Sequence, residues 1–201
     1  KIVVSAAIDM GMYQHHFFIA RYNINGIPDS SFGSNGKVET YFDTATYEGE
    51  YIGSDATTVI MQPDGKILAG GYVYHPFVGP DYFALARYLP NGEPDSSFGK
   101  YGKTQDFIGP FPKENEVYSL ALQKNGGIIA GGWSDGYCVV KYKSNGFINS
   151  SFAVNGALRN QDIPSYGPTT VHLQADEKIV TGETMGGFST AYSDFEVDRL
   201  L

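Results

Sequence analysis

"RYNINGIPDSSFGSNGK" (Arg21–Lys37), "RYLPNGEPDSSFGKYGK" (Arg87–Lys103) and the weaker "KYKSNGFINSSFAVNGA" (Lys141–Ala157) are one seventeen-residue sentence written three times. The segments around it recur in fixed order. An alternating run comes first: "ATTVIMQ" (56–62), "VYSLALQ" (117–123) and "TTVHLQ" (169–174). Val59 and Met61, Leu120 and Leu122, Val171 and Leu173 keep a period of two, the mark of a strand with a buried face. A tight turn follows, "PDG" (63–65), "KNG" (124–126) or "ADE" (175–177). Asp-Gly and Asn-Gly supply the positive φ of a hairpin, so the copy without Gly is expected to be strained or of another type. A second strand comes next ("KIVVSA", "KILAGG", "GIIAGG", "KIVTGE") and then a third ("FFIARY", "FALARY", "YCVVKY", "FEVDRL"). The repeated sentence then leads into a short fourth strand such as "KVETYF" (37–42).

Repeated units of four antiparallel strands bury their faces only against their neighbours, which points to an all-β protein of β-propeller type. The units fall at 1–42 (partial), 56–107, 117–161 and 169–201 (partial), about three and a half four-stranded blades in a single propeller segment. The first lacks its inner strand and the last its outer one. Open edges are avoided in sheets, so further blades of the same chain or a partner subunit are expected to complete the ring.

The composition narrows the functions. Lys plus Arg is 14 against 22 acidic residues, a net charge of −8 with no basic cluster, which argues against nucleic acid. Aromatics at 14% and charged residues at 18% argue against disorder. Cys138 is the single cysteine, so neither an intrachain disulfide nor a thiolate metal cluster is expected. No apolar run is long enough to span a membrane. The chain opens on "KIVVSAA", already a strand, with no initiator Met or signal peptide, so a preceding segment is expected.

The pattern "LQxDGKILAGG … FALARYxxNGxPDSSFGxxGK" resembles the delta-60 repeat of secreted and surface bacterial proteins, and its units look like relatives of the NHL and kelch propellers. That resemblance implies a propeller, export from a bacterium and no established catalytic residues. The last copy departs from it, with "ADEKIVTGE" in place of the usual hairpin.

The repeated sentence reads as a corner between strands three and four, with Phe32, Phe98 and Phe152 plugging the gap between blades. "NINGIPD" (23–29) sets oxygen ligands at alternate positions as a short calcium loop does, but its first ligand position becomes Leu89 and then Lys143, so no metal or cofactor is assigned. Arg21 and Asp29, and likewise Arg87 and Asp95, lie eight apart, and both partners soften together to Lys141 and Asn149. Two readings stand: a bidentate ion pair bridging strand to corner, or an acid that accepts backbone N–H groups in the turn.

Turns after strands one and three are constant and share one rim. Loops after strands two and four vary and share the other, where a rigid scaffold carries binding. The binding candidates on that rim are Tyr13, His15, His16, Tyr74, His75, Phe77, Trp133, Asp135, Glu183 and Tyr192. Tyr13, Tyr74, His75 and Trp133 are placed at one loop position in successive blades. The leading expectation is a non-enzymatic module at the bacterial cell surface or outside it, binding a partner protein or glycan. The rival is a polysaccharide hydrolase or lyase using Glu183, His75 and Asp135. His172, on an inner strand, is expected to be buried, and Cys138 to be inert packing.

Overall fold

The computed structural model describes residues 1–9, 15–42, 52–74, 79–109, 114–160, 170–185 and 194–200. Among these lie four antiparallel sheets. The first orders β1 (Ile2–Asp9), β2 (His15–Tyr22) and β3 (Lys37–Thr40). The second orders β4 (Gly53–Met61), β5 (Ile67–Tyr74), β6 (Tyr82–Tyr88) and β7 (Lys103–Asp106). The third orders β8 (Glu116–Leu122), β9 (Ile128–Trp133), β10 (Tyr137–Tyr142) and β11 (Ala157–Asn160). The fourth orders β12 (Thr170–Leu173), β13 (Ile179–Met185) and β14 (Asp194–Leu200).

The sheets stack face to face, with one apolar core between each successive pair. Successive side chains on a strand point to opposite faces, so a middle sheet feeds two cores. Ile67, Ala69, Ala84, Ala86 and Tyr88 pack with Phe17 and Ile19 of the first sheet. Their neighbours Leu68, Phe83 and Leu85 pack with Val117, Ile128, Cys138 and Val140 of the third. Ile129, Tyr137 and Val139 then meet Val171 and Ile179 of the fourth. Cys138 is fully buried, and burial pushes its thiol up to about 12, which keeps it an unreactive small hydrophobe.

Two expectations need correcting. Met61 is half exposed at the end of β4, where the strand runs out past the core. His172 is exposed, not buried. Ile60 and Ala121, at the same place in β4 and β8, turn toward the following sheet. No following sheet covers β12 among the described residues. The turn that lacks glycine keeps its form: Gln174 N–H donates to Lys178 O at 2.9 Å, and Glu177 takes φ 68° where Gly65 and Gly126 have 84° and 83°.

At each of the first two corners a buried carboxylate both pairs with the arginine and caps the turn. The ion pair is single and not bidentate: Nη2 of Arg21 and of Arg87 donates to the Ser31 and Ser97 hydroxyls at 3.1 Å. Arg21 Nε donates to Asp29 Oδ2 at 2.8 Å, while Asp29 Oδ1 accepts the Ser31 N–H at 3.2 Å and its hydroxyl at 2.8 Å. Arg87, Asp95 and Ser97 repeat this at 2.8, 3.1 and 2.7 Å. The sequence reading missed a third member. Lys1 Nζ lies 2.8 Å from Asp29 Oδ2, and Lys66 Nζ lies 3.0 Å from Asp95 Oδ2. Both lysines open a second strand, and the third copy has Gly127 there. In that copy Asn149 still takes the Ser151 hydroxyl at 2.8 Å, while Lys141 stands 5.9 Å over the Phe152 ring.

The arginine also reaches the next sheet. Arg21 Nη1 donates to Pro90 O at 2.5 Å and Arg87 Nη1 to Ser144 O at 2.6 Å. Beside them the N–H of Gly33 donates to Asn91 O and that of Gly99 to Asn145 O, both at 2.8 Å. Each corner therefore grips the Asn-Gly turn of the following sheet. The turn comes so close that a Cβ on Gly146 would sit 2.8 Å from the Phe98 ring, so only glycine fits. Phe32 and Phe98 are fully buried under a guanidinium at 4.6 Å, and Phe152 is only half-buried.

Thermal or denaturant melts of Phe98→Ala should show a loss of ~3–5 kcal/mol, with a clearly smaller loss for Phe152→Ala. Equal losses would contradict the packing difference between the two corners. A double-mutant cycle on Arg87→Lys and Asp95→Asn should give a coupling of ~0.5–3 kcal/mol, and strict additivity would reduce Asp95 to a turn cap.

Candidate functional site

The inner strands of the second and third sheets each carry an acid near their start, in the same register. Asp55 of β4 lies opposite Tyr72, and Glu116 of β8 lies opposite Trp133. Each acid leads into a bulge, between Ala56 and Thr58 and between Val117 and Ser119. Gly71 and Gly132 stand behind the bulges, where a Cβ would collide with the carbonyls of Asp55 and Glu116. The glycine pair thus lets the strand head fold over and turn its acid into the rim.

Both oxygens of Asp55 are engaged. His15 Nδ1 lies 3.0 Å from Oδ1, and the Tyr72 hydroxyl donates to Oδ2 at 2.9 Å. Tyr74 sets its ring 5.9 Å from that of His15, edge to face, and 5.8 Å from that of Tyr72. Burial first and the Asp55 charge second push the Tyr72 phenol well above its ordinary range. In the third sheet the Tyr118 hydroxyl donates to Glu116 Oε2. Asn115 is fully buried, with Nδ2 donating to Asp81 O at 3.0 Å. Burial, then repulsion from Asp81, Glu114 and Asp55, pushes the Glu116 carboxyl up to about 7. Burial and then Glu114 push Asp81 up to about 6. Three sheets thus bring imidazole, phenols and mutually repelling carboxyls to one rim.

The other sequence candidates are dispersed. His16 turns away from His15, its ring centroid 4.0 Å from that of Tyr41, and burial lowers its pKa. Trp133 is half-buried at the end of β9, opposite Glu116 and Tyr137. Register corrects its assigned partner. Tyr72 lies opposite Phe83 as Trp133 lies opposite Tyr137, so Tyr72, not Tyr74, shares its position. Asp135 is exposed in the turn between β9 and β10, at φ 50°. Glu183 pairs with Glu196 in register on β13, and its side chain lies outside the described residues. Tyr13, His75, Phe77 and Tyr192 lie outside them altogether. Asp55, Tyr72, Glu116 and Tyr118 were missed, although an acid just before the inner strand in two copies was a signal in plain view.

Chemically, an imidazole beside a carboxylate forms a pair that can exchange a proton. Carboxyls that titrate near neutrality can do the same. Among the described residues no group of three His, Cys, Asp or Glu side chains is arranged to hold a metal ion.

A family model described as a β-propeller domain of unknown function (DUF5122) matches residues 62–98. The match runs from the first hairpin turn through β5 and β6 to the corner phenylalanine, so this stretch is similar to a β-propeller repeat. No curated protein matches the chain.

A carboxyl whose pKa is raised on folding stabilises the fold below its unfolded pKa, and that contribution is lost as pH rises through the folded value. For Glu116 the window runs from about 4.5 to about 7. Glu116→Gln keeps an acceptor for Tyr118 and removes the charge. Discounted for solvent screening, it should add ~1 kcal/mol at pH 8 and almost nothing at pH 4, read from melts at both. An equal effect at the two pH values would contradict a buried, charge-crowded Glu116.

Proposed function

We propose that the chain is part of a delta-60-like β-propeller of an exported bacterial surface protein and that it works by binding, not catalysis. Its four-stranded blades are completed by further blades of the same chain or by a partner subunit. The rim that carries His15, Asp55, Tyr72, Tyr74 and Trp133 presents itself to a partner protein or glycan. The observation that carries this reading is the convergence of three sheets on one rim, with His15 held on Asp55 at 3.0 Å and flanked by tyrosine rings. Rigid rings supply contact area at little ordering cost, and a fixed carboxylate with both oxygens oriented supplies direction.

One observation favours a polysaccharide hydrolase or lyase: Glu116 at about 7 stands among other carboxyls, the divergence that acid–base pairs require. In that reading Glu116 gives a proton and His15 takes one, displacing Glu183, His75 and Asp135 from those roles. Release of reducing ends or unsaturated sugars from polysaccharide, lost in Glu116→Gln, would establish it over binding.

An array of glycans and surface proteins probed with the intact chain tests the binding reading. For whichever ligand binds, Trp133→Ala or Tyr74→Ala should weaken affinity by ~2 kcal/mol without lowering the melting temperature. Asp64→Ala, on the opposite rim, should leave affinity alone. Sensitivity at Asp64 with indifference at Trp133 would put the working face on the wrong rim.

A further inference from the structure

Away from that rim, a groove of about 640 Å³ crosses the outer strand of the second sheet. Tyr41, Lys100, Tyr101, Lys103, Asp106 and, from the next sheet's turn, Phe147 are among the residues that line it. Three rings stand open to solvent there: Tyr101 is 75% exposed, Phe147 58% and Tyr41 46%.

The repeat itself does not ask for two of these rings. Phe147 takes the place of Ile27 and Glu93 in the other copies, and Tyr101 that of Asn35 and Asn155. All three residues at the second position have positive φ: 52° at Asn35, 56° at Tyr101 and 53° at Asn155. Asparagine tolerates that backbone, whereas a bulky ring there is strained. Strain held at an exposed position points from the backbone to a use for the side chain.

Charge gives the groove its sign. Lys100 Nζ stands 5.9 Å from the Tyr101 ring, and Lys103 Nζ stands 5.6 Å from the Phe42 ring. The one acid among the lining residues is Asp106, whose pKa burial raises although the Thr104 and Tyr142 hydroxyls partly offset this. On a chain of net charge −8 the lining carries two lysines against one acid, with Glu39 just outside it at 3.4 Å from the Tyr41 hydroxyl. Open rings stack on the apolar faces of sugars, two ammonium groups answer carboxylates, and Gln105 beside them is exposed for hydroxyls. A volume of this size suits an oligomer more than a single small ion.

We propose that this groove is a binding site for an anionic oligosaccharide, a run of sugar units carrying carboxylates. The site is separate from the rim and stands or falls independently of it.

Calorimetric titration of the whole chain with tetragalacturonate, with an uncharged glucose tetrasaccharide and with tetraglutamate tests it. The acidic sugar should bind at least about ten-fold more tightly than either of the others. Tyr101→Asn installs the residue that the other two copies carry. It should lower affinity about ten-fold while the melting temperature stays level or rises. Lys100→Ser, the residue of the first copy, should weaken binding and flatten its salt dependence. Tetraglutamate binding as well as the sugar would show charge attraction alone and overturn the proposal. Absent binding of tetragalacturonate, or full affinity in Tyr101→Asn, would overturn it equally.

Discussion

A carboxylate withdrawn from water must have its charge answered on the spot, and the way Asp29 and Asp95 are answered organises the stack of sheets. At Asp95 burial works against ionisation. The Ser97 hydroxyl, Lys66, the Ser97 N–H and Arg87 together outweigh it and hold the carboxyl well below its ordinary range. The guanidinium that does part of this has donors left over, and one goes to a main-chain carbonyl of the next sheet. One planar fork therefore closes a corner and sets the seat of a neighbour. The apolar cores between the sheets hold them together without direction. The fork gives that contact an orientation.

The third corner shows what remains when the ionic part is withdrawn. Lysine, asparagine and glycine replace Arg, Asp and Lys together, and the turn survives on the Asn149–Ser151 bonds. Corner geometry thus needs only an oxygen acceptor at that place. The grip on the following sheet, at the first two corners, is shared between the guanidinium and a glycine N–H.

Strand order, the hairpins and the alternation of the cores were legible because they rest on period-two patterning and turn chemistry, which are local. The pairing of Arg21 with Asp29 and of Arg87 with Asp95 was legible because both residues changed in concert between copies. Lys1 and Lys66 escaped notice because they lie about one strand away from the acids they meet, across sheet pairings that no spacing reveals. The rim was harder still. Asp55 meets His15 from a different sheet, forty residues distant, and the two are joined only by the stacking of units. His172 was misread for a related reason. Its place in the repeat is an inward one, but inwardness depends on a next sheet and not on the residue.

The Gly33 and Gly99 contacts run one way: in both joints the corner of one sheet takes the turn of the sheet that follows. Each unit therefore carries a socket at its corner and a plug at its turn, made from the same seventeen residues. Duplicating such a unit within a gene creates no unfamiliar surface, because the new copy arrives with both halves of the joint already matched. The length of the array is then free to drift, while neighbours that keep the arginine and the glycines keep the same joint.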